Sequence, residues 1–315
     1  MGMDIISRPT YNQRWDNYIT FCDDRGLDPA TEDALCDYIH AELLVNRLIS
    51  GSSVPQYVAA IRTSARSRHL PPPPLGDDYH RILKGYRRAT ATLPPPRLRR
   101  DTFGATIALR LLTCVRTLLH PIHGGPISLH DFALARDAMM LATGFTFGWR
   151  ASTLMACAPR HVTFISDGSV RATEAFLKGR ILNDATAPRR GFPDSTFTAT
   201  LRDYLRRAPL STQCCWTLTN DPRPPNASTF VTEVIRHTFA DMDVPPADGT
   251  AWSSHCLRRS AASAMYAIGI QDLRIANLLH WSSVESLRTY IDTSYTATAD
   301  DIIYFGFLLP TSRQG

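Results

Sequence analysis

The chain has 315 residues, 44% of them apolar, with 34 basic and 29 acidic side chains, enough for two ordinary domains with cores of their own. No apolar run reaches the roughly 18 residues of a membrane span, and the opening MGMDIISRPT lacks the form of a signal peptide, so the expectation is an intracellular protein, nuclear or cytoplasmic according to its host. Seven cysteines, an odd number with no CxxC pair, read as reduced thiols rather than disulfides or zinc ligands, with Cys214 and Cys215 as buried filler.

In chain order, Tyr11, Trp15, Tyr18 and Phe21–Cys22 recur at spacings of three and four and predict an amphipathic helix ending near Gly26. TEDALCDYIHAELL predicts a second helix, with Thr31 as its N-cap and Ala34, Leu35, Tyr38 and Ile39 inward. SVPQYVAAIRTSARSRHL predicts a third, and DDYHRILKGYRRAT a fourth that opens on two carboxylates and closes on basic residues. Pro71–Pro74 separate these two, and Pro94–Pro96 follow the fourth as a stiff linker that no helix can cross. The predicted organisation is therefore a four-helix domain over 1–93, a Pro/Arg-rich linker over 94–101, a second domain over 102–295 and an apolar tail over 296–315.

The second domain opens with two helical stretches, FGATIALRLLTCVRTLL and LHDFALARDAMMLATGFTFGWRASTLMAC. A β-rich run, HVTFISDGSVRATEAFLKGRI, turns at Asp167–Gly168. DSTFTATLRDYLRRA and ASTFVTEVIRHTFADM return to helix. The fold class is mainly α with a small antiparallel β-sheet. No P-loop, GxGxxG or metal-ligand cluster occurs, so no cofactor is expected.

Charge is unevenly placed. Residues 1–61 hold four Arg against nine Asp or Glu, a net of −5, whereas 62–100 hold ten basic side chains against Asp77 and Asp78, a net of +8. Such a block suits a polyanion, with a merely solvated surface as the alternative. Its candidates for phosphate contact are Arg62, Arg66, Arg68, Lys84, Arg87, Arg88, Arg97, Arg99 and Arg100. Of the 34 basic residues only Lys84 and Lys178 are lysines. In a chain so biased to arginine, a retained lysine is a candidate for giving up a proton, which arginine cannot do.

HCLRRSAASAMYAIGIQDLRIANLLHWSSVESLRTYI concentrates costly polar groups in helical sequence. His255 and Arg258 form H-x-x-R, Trp281 lies 23 residues after Arg258, and Tyr290 nine after Trp281. This spacing resembles the catalytic motif of the tyrosine recombinases, the phage-integrase family. Gly269 falls where that family breaks the helix, Arg150 in ATGFTFGWRASTLMAC matches its first arginine, and Lys178 in FLKGR its hairpin lysine. His280 stands where the family has glycine. The first domain resembles the family's core-binding domain, with the ILKGYRR ending common there.

The resemblance implies a site-specific recombinase or integrase that breaks and rejoins DNA strands through a covalent 3′-phosphotyrosine. It implies double-stranded DNA sites as substrate, a dimer on each site, a tetramer in the synapse, and a mobile element or virus as a source. The chemistry stands without the family name. Attack on phosphorus loads charge onto two non-bridging oxygens, which two guanidinium forks fit. Arg150 and Arg258 would fill that role, with Tyr290 as nucleophile, His255 as base, Lys178 as acid to the leaving 5′-oxygen, and Trp281 donating its indole N–H to a phosphate oxygen. The energy of the broken bond is kept in the phosphotyrosyl link, so neither ATP nor an obligatory metal is required.

Plainer roles exist for each residue. His255 would serve as a helix cap, Arg258 as partner of a carboxylate such as Asp272, and Trp281 and Tyr290 as core aromatics. Arg259 and Arg180 could replace their neighbours, and Tyr295 is a second tyrosine at another spacing. A type IB topoisomerase-like strand transferase and a non-catalytic DNA-binding descendant are the alternative functions. In the tail, TATADDIIYFGFLLP carries far more apolar surface than a solvated terminus, and docking onto a neighbouring protomer is expected, with folding back on its own domain as the alternative.

Overall fold

The computed structural model describes residues 8–46, 49, 51, 53–90, 99–121, 126–174, 176–177, 180–181, 189–211, 213–218, 226–281 and 283–309. The chain divides into two units, Met1–Arg97 and Leu98–Gly315. Pro94–Pro96, Arg97 and Lys178 lie outside the described residues.

The first unit holds α1 (Arg8–Arg25), α2 (Glu32–Asp37), α3 (Val54–Ser67) and α4 (Asp77–Thr90). Trp15, Tyr18 and Cys22 line the inner face of α1 at helical spacing, and Tyr18 packs edge-on against Tyr38 at 5.2 Å. Burying each such ring stabilises the unit by roughly 1.5–3 kcal/mol. Thr31 caps α2, its side chain accepting from the Ala34 N–H. The helix expected to run on to Leu44 instead widens into a π-helix, Tyr38–Asn46. The physical reason is visible in the buried pairs: Tyr38 with Leu43, and Ile39 with Leu44, are five residues apart, the spacing that an i→i+5 winding brings onto one face.

The second unit opens with β1 (Arg99–Arg100), α5 (Ala105–Leu119), α6 (Leu129–Phe147) and α7 (Ala151–Met155). β1 pairs in parallel with a later strand, Arg99 opposite Thr250 and Arg100 opposite Ala251, so the end of the expected linker is held in this unit's backbone. α6 is buried on every side from Ala138 to Phe147 and is the axis of the core. Ser128 and Asp131 form a capping box at its start, and Gly148 ends it in the left-handed conformation, φ 56°. A Cβ at Gly148 would lie 2.5 Å from Leu279 Cδ2, so this glycine is needed both for its dihedral and for a close approach. The sequence period had joined α6 and α7, and this elbow separates them.

After α7 come β2 (Val162–Phe164), β3 (Val170–Thr173), β4 (Phe176–Leu177), β5 (Arg180–Ile181) and β6 (Arg189–Phe192). β2, β3 and β6 make an antiparallel three-stranded sheet, with Val162 opposite Ala172 and Val170 opposite Phe192. The first turn uses Gly168 at φ 88°. β4 and β5 form a separate hairpin, Leu177 opposite Arg180, and β4 lies against α7. Then follow α8 (Thr196–Arg207), β7 (Leu210–Ser211), β8 (Cys214–Leu218), α9 (Ala227–Asp241), β9 (Thr250–Ala251), α10 (His255–Ala267), α11 (Asp272–Leu278), α12 (Val284–Arg288) and α13 (Ala299–Phe305). Cys214 and Cys215 are buried, as expected of filler, but on a strand that the sequence did not reveal.

The tail has an inner and an outer side. α13 packs on its own unit: Tyr304 and Phe305 are buried with ring centroids 5.6 and 5.4 Å from Phe145. Asp301 is fully buried, accepting from the Ala105 N–H at 2.8 Å and from the Tyr295 hydroxyl at 2.8 Å. A buried carboxylate with these donors at the start of α5 is satisfied inside the same chain. Ile302, Ile303 and Phe307 remain exposed.

Candidate active site

Arg258 organises the site. It stands one turn into α10 and is 3% exposed. Its Nη1 donates to the Gly148 carbonyl at 2.8 Å, and its Nη2 donates to the Leu279 carbonyl. Its guanidinium carbon lies 3.7 Å from the centroid of the Trp281 ring, a cation–π contact worth about 2 kcal/mol or more once desolvated. The protein therefore fixes the fork, and a bound anion would not pay to order it. Asp272, the carboxylate considered as its partner, pairs instead with Arg288 at 2.8 Å.

Tyr290 follows α12, whose N-cap is Ser283. Its hydroxyl is 3.5 Å from His255 Nδ1, and its ring meets Trp281 edge-on at 5.1 Å. His255 is the first residue of α10 and not its cap, a position held by Ser254. The four residues of the C-terminal motif thus form one contact chain: His255 to Tyr290, Tyr290 to Trp281, Trp281 to Arg258. Trp281 is half-buried, and no hydrogen bond among the described residues uses its indole N–H.

Arg150 is the N-cap of α7, two residues after the carbonyl that Arg258 holds. Its side chain is half-buried, and among the described residues no hydrogen bond or ion pair claims it. β4, which pairs with β5, lies against the helix that Arg150 begins.

Tyr295, the rival tyrosine, is committed elsewhere. Burial, and then its hydrogen bond to Asp301, push its phenol far above the usual range. Arg259 pairs with Asp292 at 3.2 Å, two residues beyond Tyr290, and the Asp292 N–H donates to Ser263 Oγ at 2.8 Å. Burial alone would raise the Asp292 carboxyl, but hydrogen bonds from Ser294 and Arg259 outweigh it and hold the group below the ordinary carboxylate range. The segment that carries Tyr290 is therefore anchored to α10 twice, which spacing did not reveal.

In the first unit Arg66, Arg68, Lys84, Arg87 and Arg88 are exposed, and Arg62 is half-buried. Arg68 is partly spent, donating to Asn12 Oδ1 at 3.1 Å. Arg99 and Arg100 are placed by their backbone in β1. Among the described residues no helix is long and apolar enough to cross a membrane, and no cluster of His, Cys, Asp and Glu could hold a metal ion.

No family model matches the sequence, and no curated protein matches it. Solved structures do match. The integrase of the Tn1549 transposon, in complex with transposon right-end DNA, is 8% identical, with a TM-score of 0.56 over 93% of this chain and 92% of that one. A lambda integrase dimer bound to a COC′ core site is 15% identical, with a TM-score of 0.54 over 93% and 90%. The XerH site-specific recombinase, bound to a palindromic difH substrate after cleavage, is 10% identical with a TM-score of 0.53; the match covers 83% of this chain and 65% of XerH. These likenesses show that the chain shares the fold of these integrases and of this site-specific recombinase.

Proposed function

We propose that the protein is a site-specific DNA recombinase or integrase that cleaves and rejoins strands through a 3′-phosphotyrosine at Tyr290. The observation that carries this reading is the contact chain in which Tyr290, 3.5 Å from His255, packs on the tryptophan that covers Arg258. The Tyr290 oxygen attacks phosphorus and its proton passes to His255 Nδ1. Arg258 and Arg150 take the charge that develops on the non-bridging oxygens, and the Trp281 N–H adds a further donor. The bond to the 5′-oxygen breaks, and Lys178 supplies the proton that oxygen needs. Attack by a 5′-hydroxyl from another strand reverses the steps, which conserves the bond energy.

The exposed arginines of α3 and α4, with Lys84, suit phosphate contacts that carry no sequence information. Lambda integrase has been seen as a dimer on a core site and as a tetramer on a Holliday junction, and we extend to this chain a dimer on each site and a tetramer in the synapse. The shared fold with a transposon integrase supports a mobile element as source and an intracellular place of work.

A nicked suicide substrate tests the reading. The wild type should give a covalent protein–DNA adduct that survives denaturation; its absence on every site tried, with DNA still bound, would leave a non-catalytic binder. Lys178→Arg should slow cleavage of ordinary DNA, and a 5′-bridging sulphur, which leaves without a proton, should restore the rate. Full activity of Lys178→Arg on ordinary DNA would remove Lys178 from the role of acid.

A further inference from the structure

We infer that Glu174 and His280 act as a positioning pair for the phosphate-binding groups, an inference that rests on the reading above. Glu174 follows β3 and is 2% exposed. Val170 and Ala172 point inward from β3, and the alternation of a strand puts residue 174 on the same side. A carboxylate in that register is costly unless it is used.

Its use is visible in two short segments. Gly148–Trp149–Arg150 and Leu279–His280–Trp281 touch each other, since a Cβ on Gly148 would meet Leu279. Arg258 bridges them through the main chain, at the first residue of each. Glu174 bridges them through side chains, at the second residue of each. The Trp149 indole N–H donates to Glu174 Oε1 at 2.9 Å, and His280 Nε2 stands 3.7 Å from the same oxygen, beyond a hydrogen bond and an ion pair when the imidazole is protonated. The third residues are Arg150 and Trp281, the groups assigned to the phosphate. Two bridges at successive residues fix the angle between the segments as well as their separation, and one bridge alone would leave them free to hinge. Placement errors of this kind are expensive in a reaction that depends on positioning.

The backbone gives a second, independent sign. His280 adopts φ 49°, a region that costs a side chain and that glycine enters freely. Glycine here would make a cheaper turn. A histidine at this position spends conformational energy, and what it reaches in return is Glu174.

The pairing can be tested by substitutions whose effects on folding and on chemistry run in opposite directions. His280→Gly relieves the left-handed strain and should raise the melting temperature by a few degrees. It should also slow adduct formation on the suicide substrate by roughly 10- to 100-fold, with DNA affinity unchanged. Glu174→Gln keeps an oxygen for Trp149 but loses the charge, and should slow the adduct to a similar degree. The two changes combined should be no worse than either, because they break one link. A merely structural histidine would not give a more stable, slower protein. Wild-type rates in both variants, beside a wild type that forms adduct, would overturn the positioning pair and leave the proposed function standing. A wild type without adduct would overturn the function instead. The pair is then judged on melting temperature: non-additive shifts for His280→Gly with Trp149→Phe uphold it, and additive shifts overturn it.

Discussion

The two units carry positive charge in opposite ways. On α3 and α4 the basic side chains, Arg62 apart, are exposed and spaced along helices, and several could stand in for one another. In the second unit Arg258 is almost fully buried, tied to two carbonyls and covered by an indole. Exposed charges act through screened, additive attraction, so losing one costs a fraction of the whole. A buried guanidinium acts through geometry, and its loss strands the groups it had satisfied. On the proposed function, binding to any DNA and chemistry on one phosphate would make different demands on the same residue type.

The largest effect lies at the chemical end of that contrast. Tyr290→Phe should abolish the covalent adduct on a denaturing gel while affinity for DNA stays as it was. An adduct formed by Tyr290→Phe would place the nucleophile elsewhere. Tyr295 is a poor substitute, with its hydroxyl given to Asp301.

Arginine-to-lysine changes sharpen the comparison directly, because charge is kept and only the fork is lost. Arg258→Lys should lower the cleavage rate by about 10²–10³-fold, the usual loss when one preorganised donor to a developing anion is removed. It should also destabilise the fold by about 1–3 kcal/mol for each carbonyl left without its donor. Arg88→Lys, on the exposed face of α4, should change neither rate nor melting temperature. Equal effects of the two would erase the distinction between the units.

How much of this was legible in the sequence differs along the same line. The joint spacing of His255, Arg258, Trp281 and Tyr290 survives folding as real contacts, because a helix start, its next turn and two turn residues are brought together by packing that is common to the fold. Most helices were readable from period and caps, Thr31 among them, and the strand turn at Asp167–Gly168 from its residue pair. β8 was not, because all five of its residues are buried and no alternation marks it. The elbow at Gly148 was missed because α6 is apolar on every face, so the period could not show where it ends. Glu174 carried a signal in its inward register, but the partners that give it meaning, Trp149 and His280, are 25 residues or more away in sequence. The anchoring of Asp292 by Arg259 and Ser263 has no sequence signature at all.

The exposed side of the contrast should yield in proportion. Replacing both Arg87 and Arg88 with Ala removes two phosphate contacts, so the log–log dependence of affinity on salt should become shallower by about 1.8, at about 0.9 for each contact. Binding should weaken alike on all sequences, and adduct formation at saturating DNA should be unaffected. An unchanged slope would move the phosphate contacts away from α4.

The smallest effect on the folded chain is expected at the tail, where one short helix shows both kinds of surface. Its inner side holds Asp301, Tyr304 and Phe305, all buried, and its outer side holds Ile302 and Ile303, the latter 77% exposed. An exposed isoleucine contributes little to its own fold, so Ile303→Ser should shift stability by no more than about 0.5 kcal/mol, whereas Phe305→Ala should cost about 3–5 kcal/mol. Two apolar side chains beside the exposed Phe307 still leave a patch that water does not favour. If that patch meets a second copy of the chain in the synapse, Ile303→Ser should leave single-site binding intact and weaken only the paired-site complex on a native gel. A paired complex as strong as that of the wild type would show that the tail serves its own unit alone: its inner side is already spent there, and its outer side would then have no partner.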